Sequence, residues 1–162
     1  YSNNIMARHL FLTLGAEGAG PPADAQKALA SVKAWIAAKK IAAPELVMEN
    51  GSGLSRVERI SAGNLAALLQ SAWRSAVMPE FIASLPVAAV DGTLRRRFRS
   101  PGIEGRVRMK TGNLQDVTGI AGYVNAASGR NYVAVILLNH PGADTGHGTA
   151  LQTALVDWLY AR

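Results

Sequence analysis

The hydrophobic period of this chain changes once, near Val107, and that change restricts the fold more than any other feature. Upstream, apolar residues recur at intervals of three and four. Ala25, Ala28, Leu29, Val32, Trp35 and Ile36 follow the i, i+3, i+4, i+7 spacing of an amphipathic helix. Lys39 and Lys40 suit its carbonyl end. An earlier helix is capped by Ser2 or Asn3, carries Ile5, Met6, His9, Leu10 and Leu14, and stops at Gly15, with a linker from Gly18 to Pro22. A short extended piece, Leu46 to Met48, runs into the turn residues Asn50, Gly51, Ser52 and Gly53. Ser61 then caps a third helix bearing Leu65, Leu68, Leu69, Ala72 and Trp73, and Pro79 closes off the segment after it. Between Pro86 and Gly105 the pattern breaks into short turns and loops.

Downstream, Val107 to Gly112, Val117 to Asn125 and Asn131 to Asn139 read as strands, the last two joined by Ala126 to Gly129, a loop short enough for an antiparallel hairpin. Leu151, Ala154, Leu155, Trp158 and Leu159 form one stripe of a closing helix. Helices, a three-stranded antiparallel meander and a final helix make an α+β layering. At 162 residues the chain fits one domain over 1–162, long enough to bury roughly 70% of its extended surface.

Composition removes several function classes. With no cysteine there is no zinc-thiolate site, redox pair or cysteine nucleophile. His9, His140 and His147 lack metal-ligand spacing, so no metal is expected, and nothing in the sequence implies an organic cofactor. Gly146-His147-Gly148 has Leu151 where a dinucleotide loop needs its third glycine, and Asn50 and Leu54 stand where a nucleophile elbow around Ser52 needs glycines. The net charge of +6 owes much to Arg95, Arg96, Arg97, Arg99, Arg106 and Arg108. Phe98 is the one aromatic residue among them, so the run reads as a solvated face and not as a nucleic-acid surface. Tyr132 to Leu138, the most apolar run, is far shorter than the ~20 residues of a transmembrane helix. The chain opens on Tyr1-Ser2-Asn3-Asn4 with no initiator Met, and is read as a segment of a longer gene product.

Two short motifs carry chemistry when taken together. Ser2-Asn3-Asn4 stands at a helix mouth, and Lys110-Thr111-Gly112 ends a strand. In this order they match the second and third signatures of the serine acyltransferases that bind penicillin. Around them Glu49-Asn50-Gly51-Ser52-Gly53-Leu54-Ser55-Arg56, Asp91-Gly92-Thr93-Leu94, Lys110 to Leu114 and Gly119-Ile120-Ala121-Gly122-Tyr123 occur in sequence. Over essentially its whole length the chain resembles the C-terminal part of a class C penicillin-binding protein, in the D-alanyl-D-alanine carboxypeptidase/endopeptidase family. It departs in having Asn50 where the family usually has Asp, and Asn113 where it often has Ser.

The resemblance implies a transpeptidase-like, serine β-lactamase-like fold and a periplasmic enzyme that cleaves peptidoglycan peptides ending in D-Ala-D-Ala and is acylated by β-lactams. It implies that Ser2 relays a proton to the leaving amine and that the Asn4 amide holds the substrate backbone. Lys110 and Thr111 would hold the terminal carboxylate. Gly112 would allow close approach, and the main-chain N–H of Asn113 would donate to the oxyanion. Period-two alternation sends Lys110 and Thr111 to opposite faces, so their strand is expected to be an edge, twisted or bulged there.

The family's SxxK tetrad, with the nucleophilic serine, is absent: no serine here has Lys three residues later. The chain alone is therefore expected to be inactive, needing the N-terminal remainder of its parent, and the missing strands should leave an aggregation-prone apolar sheet edge. Two alternatives stand beside this reading: a non-catalytic module binding cell-wall peptide or another anionic ligand, and a segment of a serine β-lactamase.

Overall fold

The structure, a computed structural model, describes residues 2–162. Tyr1, the first residue of the opening motif block, lies outside the described residues. Two compact units divide the chain, Ser2–Leu68 and Leu69–Arg162.

In the first unit, α1 (Asn4–Ala19) is capped by Asn3, whose side-chain oxygen accepts from the Met6 N–H at 2.9 Å. The helix runs through Gly15 instead of ending there, and takes in Gly18 as well. A Cβ at Gly15 would stand 2.7 Å from the Ala28 nitrogen and 3.0 Å from the Asp24 carbonyl oxygen. That glycine lets the next helix approach the α1 backbone. Its neighbours keep helical geometry, and Gly20 ends the helix, its N–H donating to the Ala16 carbonyl. Burial also differs from the periodic pattern: Phe11 and Gly15 face inward while Ile5, Met6, Leu10 and Leu14 are exposed.

The second helix, α2 (Ala25–Ala38), starts at Asp24, whose carboxylate accepts from the Lys27 N–H at 2.8 Å, and buries Ala28 and Ile36. It ends at Lys39, as its last-turn cations predict. Val47 then pairs with Arg59 in an isolated antiparallel bridge, which ties down the extended piece at Leu46 to Met48. Ser61 precedes α3 (Ala62–Trp73), its hydroxyl accepting from the Asn64 N–H at 3.2 Å. The Glu45 carboxylate takes the Ser61 N–H at 2.9 Å and the Asn64 side-chain amide at 2.8 Å. Bonded to Ser61 and Asn64, that carboxyl is held down at about 2.

The boundary between the units falls within α3. In the second unit Pro79 opens a helix instead of closing one: α4 (Met78–Ala83) has it in the first turn, where a missing N–H costs nothing. After the turns of 86–105, including a single 3-10 turn at Gly92–Leu94, come β1 (Val107–Leu114), β2 (Val117–Asn125) and β3 (Asn131–Asn139). They form an antiparallel sheet in the order β1-β2-β3. β1 is two residues longer than its sequence pattern predicts, because Leu114 pairs with Val117 across a two-residue turn.

Beneath the sheet lies the core: Leu94, Phe98, Ile103, Val107, Met109, Ile120, Val124 and Val156, each 2% exposed or less. α5 (His147–Tyr160) covers it with Gly148, Gln152 and Val156, and of the expected stripe Leu159 packs against the core. Leu151, Leu155 and Trp158 are exposed. At Gly148 the inner face of α5 lies too close for any side chain, since a Cβ there would press on the Ala143 carbonyl and the Thr118 methyl group. Gln152, wholly buried, donates to the Thr118 hydroxyl and accepts from Arg97 at 3.0 Å. Arg97 thus leaves the solvated face formed by Arg95, Arg96 and Arg99. Among the described residues no helix is long and apolar enough to cross a membrane.

Candidate active site

The site residues expected from the sequence fall into both units, Ser2 and Asn4 in the first and Lys110 to Asn113 in the second. Ser2 is exposed, next to the Asn3 cap. Asn4, the first helical residue, donates its side-chain amide to the Ser52 carbonyl at 2.6 Å. This bond fixes the amide against the glycine-rich turn while leaving its oxygen and second N–H for other partners.

The turn itself is built around one carboxylate. Oε1 of Glu58 accepts the main-chain N–H groups of Glu49, Asn50 and Gly51 at 3.0 to 3.2 Å. Gly51 has φ +67 and its α-carbon rests on Phe11, where a Cβ would stand 2.5 Å from the Phe11 Cβ. Glycine satisfies both demands. Asn50 accepts through its side-chain oxygen from the Ser52 N–H at 2.9 Å and the Ser52 hydroxyl at 2.5 Å. An aspartate oxygen would accept the same two bonds.

In the second unit, β1 is an edge strand, and its register with β2 runs unbroken from Val107↔Val124 to Leu114↔Val117. The expected edge is there; the bulge is not. Lys110 and Thr111 therefore do stand on opposite faces, and the lysine reconciles this by bending back, its Nζ donating to the Thr111 carbonyl at 2.5 Å. Partial desolvation lowers the Lys110 pKa from the ordinary lysine value.

The outer edge of β1 is covered over only part of its length. Ala88 N–H donates to the Val107 carbonyl at 2.9 Å and Met109 N–H to the Pro86 carbonyl at 3.1 Å. In an antiparallel ladder, alternate residues direct both main-chain groups to the same side, so Thr111 and Asn113 also point outward. Past Met109 no main-chain group among the described residues pairs with that edge. The outward Asn113 N–H and the Lys110 ammonium, bonded to the Thr111 carbonyl, thus lie along an open stretch of strand.

Behind this stretch stands a group to which the sequence assigned no task. Thr93 Oγ1 lies 3.0 Å from Thr111 Oγ1. The block Asp91-Gly92-Thr93-Leu94, recognisable in the sequence, is the available signal. On the opposite face Tyr123 is buried against Trp73 and Phe81 and donates to the Leu69 carbonyl at 2.7 Å. Burial raises its pKa.

A family model described as D-Ala-D-Ala carboxypeptidase 3 (S13) matches residues 1–162. The chain belongs to that family. The D-alanyl-D-alanine carboxypeptidase of Actinomadura sp. (strain R39) is 34% identical over 148 residues, covering 88% of this chain and 27% of that protein. D-alanyl-D-alanine carboxypeptidase DacB of Haemophilus influenzae is 29% identical over 147 residues, covering 90% of this chain and 30% of its own length. A crystal structure of penicillin binding protein 4 from Haemophilus influenzae, complexed with a β-lactam, superposes with a TM-score of 0.88 at 26% identity, over 99% of this chain and 39% of that one. The chain spans less than a third of the length of these curated relatives. The α+β fold with its three-stranded meander, expected from the sequence, matches the C-terminal part of the penicillin binding protein 4 structure.

Proposed function

We propose that residues 1–162 are the C-terminal segment of a single DD-peptidase domain, part of a periplasmic serine D-alanyl-D-alanine carboxypeptidase/endopeptidase. A serine on the preceding part of the parent attacks the carbonyl carbon of the penultimate D-alanine. The C–N bond breaks, Ser2 passes a proton to the leaving amine, and water later hydrolyses the acyl ester. Asn4 holds the peptide backbone, Lys110 and Thr111 take the terminal carboxylate, Gly112 permits close approach, and the Asn113 N–H donates to the oxyanion. β-Lactams enter by the same acylation.

The observation that carries this reading is the open stretch of the β1 edge. Its outward Asn113 N–H and nearby ammonium suit a peptide that adds by main-chain pairing and ends in an anion. The chain supplies no SxxK serine, so it is inactive by itself.

A fluorescent penicillin tests both parts. The full-length gene product should take up covalent label, and the isolated 162-residue chain should take up none. Label on the isolated chain would overturn the assignment of the nucleophile to a preceding segment. Failure of the full-length product to label would overturn the acyl-transfer reading and leave the non-catalytic binding module.

A further inference from the structure

We propose that Thr93 is a positioning residue that sets the direction of the Thr111 hydroxyl, so that Thr111 donates its proton to the substrate carboxylate. This rests on the assignment of Thr111 to carboxylate capture.

The mount for Thr93 is unusually well defined for an exposed residue, and each member of its block has a separate task. Asp91 accepts the Val87 N–H on its carboxylate at 2.7 Å, which ties the block to the segment lying along β1. Gly92 turns the chain against the Pro86 ring, where a Cβ would stand 3.1 Å from that side chain. Leu94 is wholly buried in the core and its carbonyl accepts the Ala89 N–H at 3.1 Å. Between these anchors Thr93 is presented to β1, with its hydroxyl oxygen 3.0 Å from that of Thr111.

Proton bookkeeping then fixes the polarity of the pair. Each hydroxyl has one proton to donate and lone pairs to accept. A carboxylate only accepts, so a Thr111 hydroxyl that serves it must spend its proton there. The Thr93–Thr111 bond can then persist in one sense only, with Thr93 donating to Thr111. Such a chain polarises the Thr111 O–H toward the anion and removes the rotational freedom of its hydroxyl. With Thr93 absent, the Thr111 hydroxyl must be oriented by the substrate alone.

The test is the rate of acylation of the full-length gene product by benzylpenicillin and by its methyl ester, which lacks the carboxylate charge. Thr93→Val keeps the shape and removes the hydroxyl. It should slow acylation by the acid roughly two- to tenfold, the range of one neutral hydrogen bond, and leave the ester rate unchanged. Thr93→Ser should restore the rate with the acid. Equal losses on both ligands would show a merely structural role and overturn the proposal. So would an unchanged acid rate in Thr93→Val while Thr111→Val abolishes the preference for acid over ester. If Thr111→Val itself retains that preference, the carboxylate role of Thr111 fails, and the role of Thr93 fails with it.

Discussion

Replacing Gly122 with alanine would separate the two strands on which the Lys110 motif depends. Gly122 is paired with Met109, one residue before Lys110. A Cβ at Gly122 would stand 2.7 Å from the Met109 α-carbon and nearer still to the Arg108 carbonyl oxygen. Both neighbours are main chain, so no side-chain rotation relieves the clash. To regain an ordinary contact of 3.4 Å, β1 must retreat by about 0.7 Å at the Met109 α-carbon and by more than that at the Arg108 carbonyl oxygen. The expected cost is about 1–3 kcal/mol of stability, the usual range for overpacking. Because the displaced strand carries Lys110, Thr111 and Asn113, acylation of the full-length product by fluorescent penicillin should fall by about tenfold to a hundredfold, as misplacements near 1 Å do. Gly119→Ala is the control. There the new methyl group meets the end of the Leu137 side chain at 3.1 Å, which can turn aside. Denaturant unfolding and labelling rate together decide the matter. If Gly122→Ala matches the parent in both, close approach at this position does not set the place of the motif.

Three further outcomes are expected. Glu45 has a carboxyl held at about 2, well below its unfolded value of 4.5, so its contribution to stability is whole above about pH 4.5 and is lost as the pH falls toward 2; an acid unfolding curve of Glu45→Gln should lack that component. Leu94→Ala, at a wholly buried position, should cost about 2–5 kcal/mol in urea unfolding, and a cost below about 1 kcal/mol would refute its place in the core. The isolated 162-residue chain should self-associate at micromolar concentration in light scattering, because β3 ends the sheet with an unpaired outer edge among the described residues and the α5 stripe of Leu151, Leu155 and Trp158 is exposed; a monodisperse monomer would contradict this.

Hydrophobic period makes most of the elements legible in the sequence. β2 and β3 fall at the boundaries it predicts, and α2 begins with its first periodic residue, Ala25, and ends where its terminal lysines indicate. What period cannot tell is which face of a helix finds a partner. α1 and α5 carry obvious apolar stripes, yet both bury the side that bears a glycine, because contact there is made backbone to neighbour. The same blindness explains Gly15, which reads as a stop signal and acts as a crossing point. Of the candidate site, the Lys110 edge strand is expected once alternation is set beside the role that the resemblance implies for Lys110 and Thr111. The Thr93–Thr111 contact is not, since the two stand 18 positions apart across largely irregular chain and no local pattern encodes a meeting at that range.

The partial cover along β1 has a directional consequence. Among the described residues Pro86 to Ala88 fill the lane beside Val107 to Met109, and no main-chain group pairs along it from Thr111 onward. A guest strand lying antiparallel in that lane enters beside Asn113 and travels toward Thr111, so its last residue arrives where the track is already occupied. Under the proposed function the lane would be a cul-de-sac: it would admit the tail of a chain, halt it beside the Lys110 ammonium, and turn away a chain that tried to pass through.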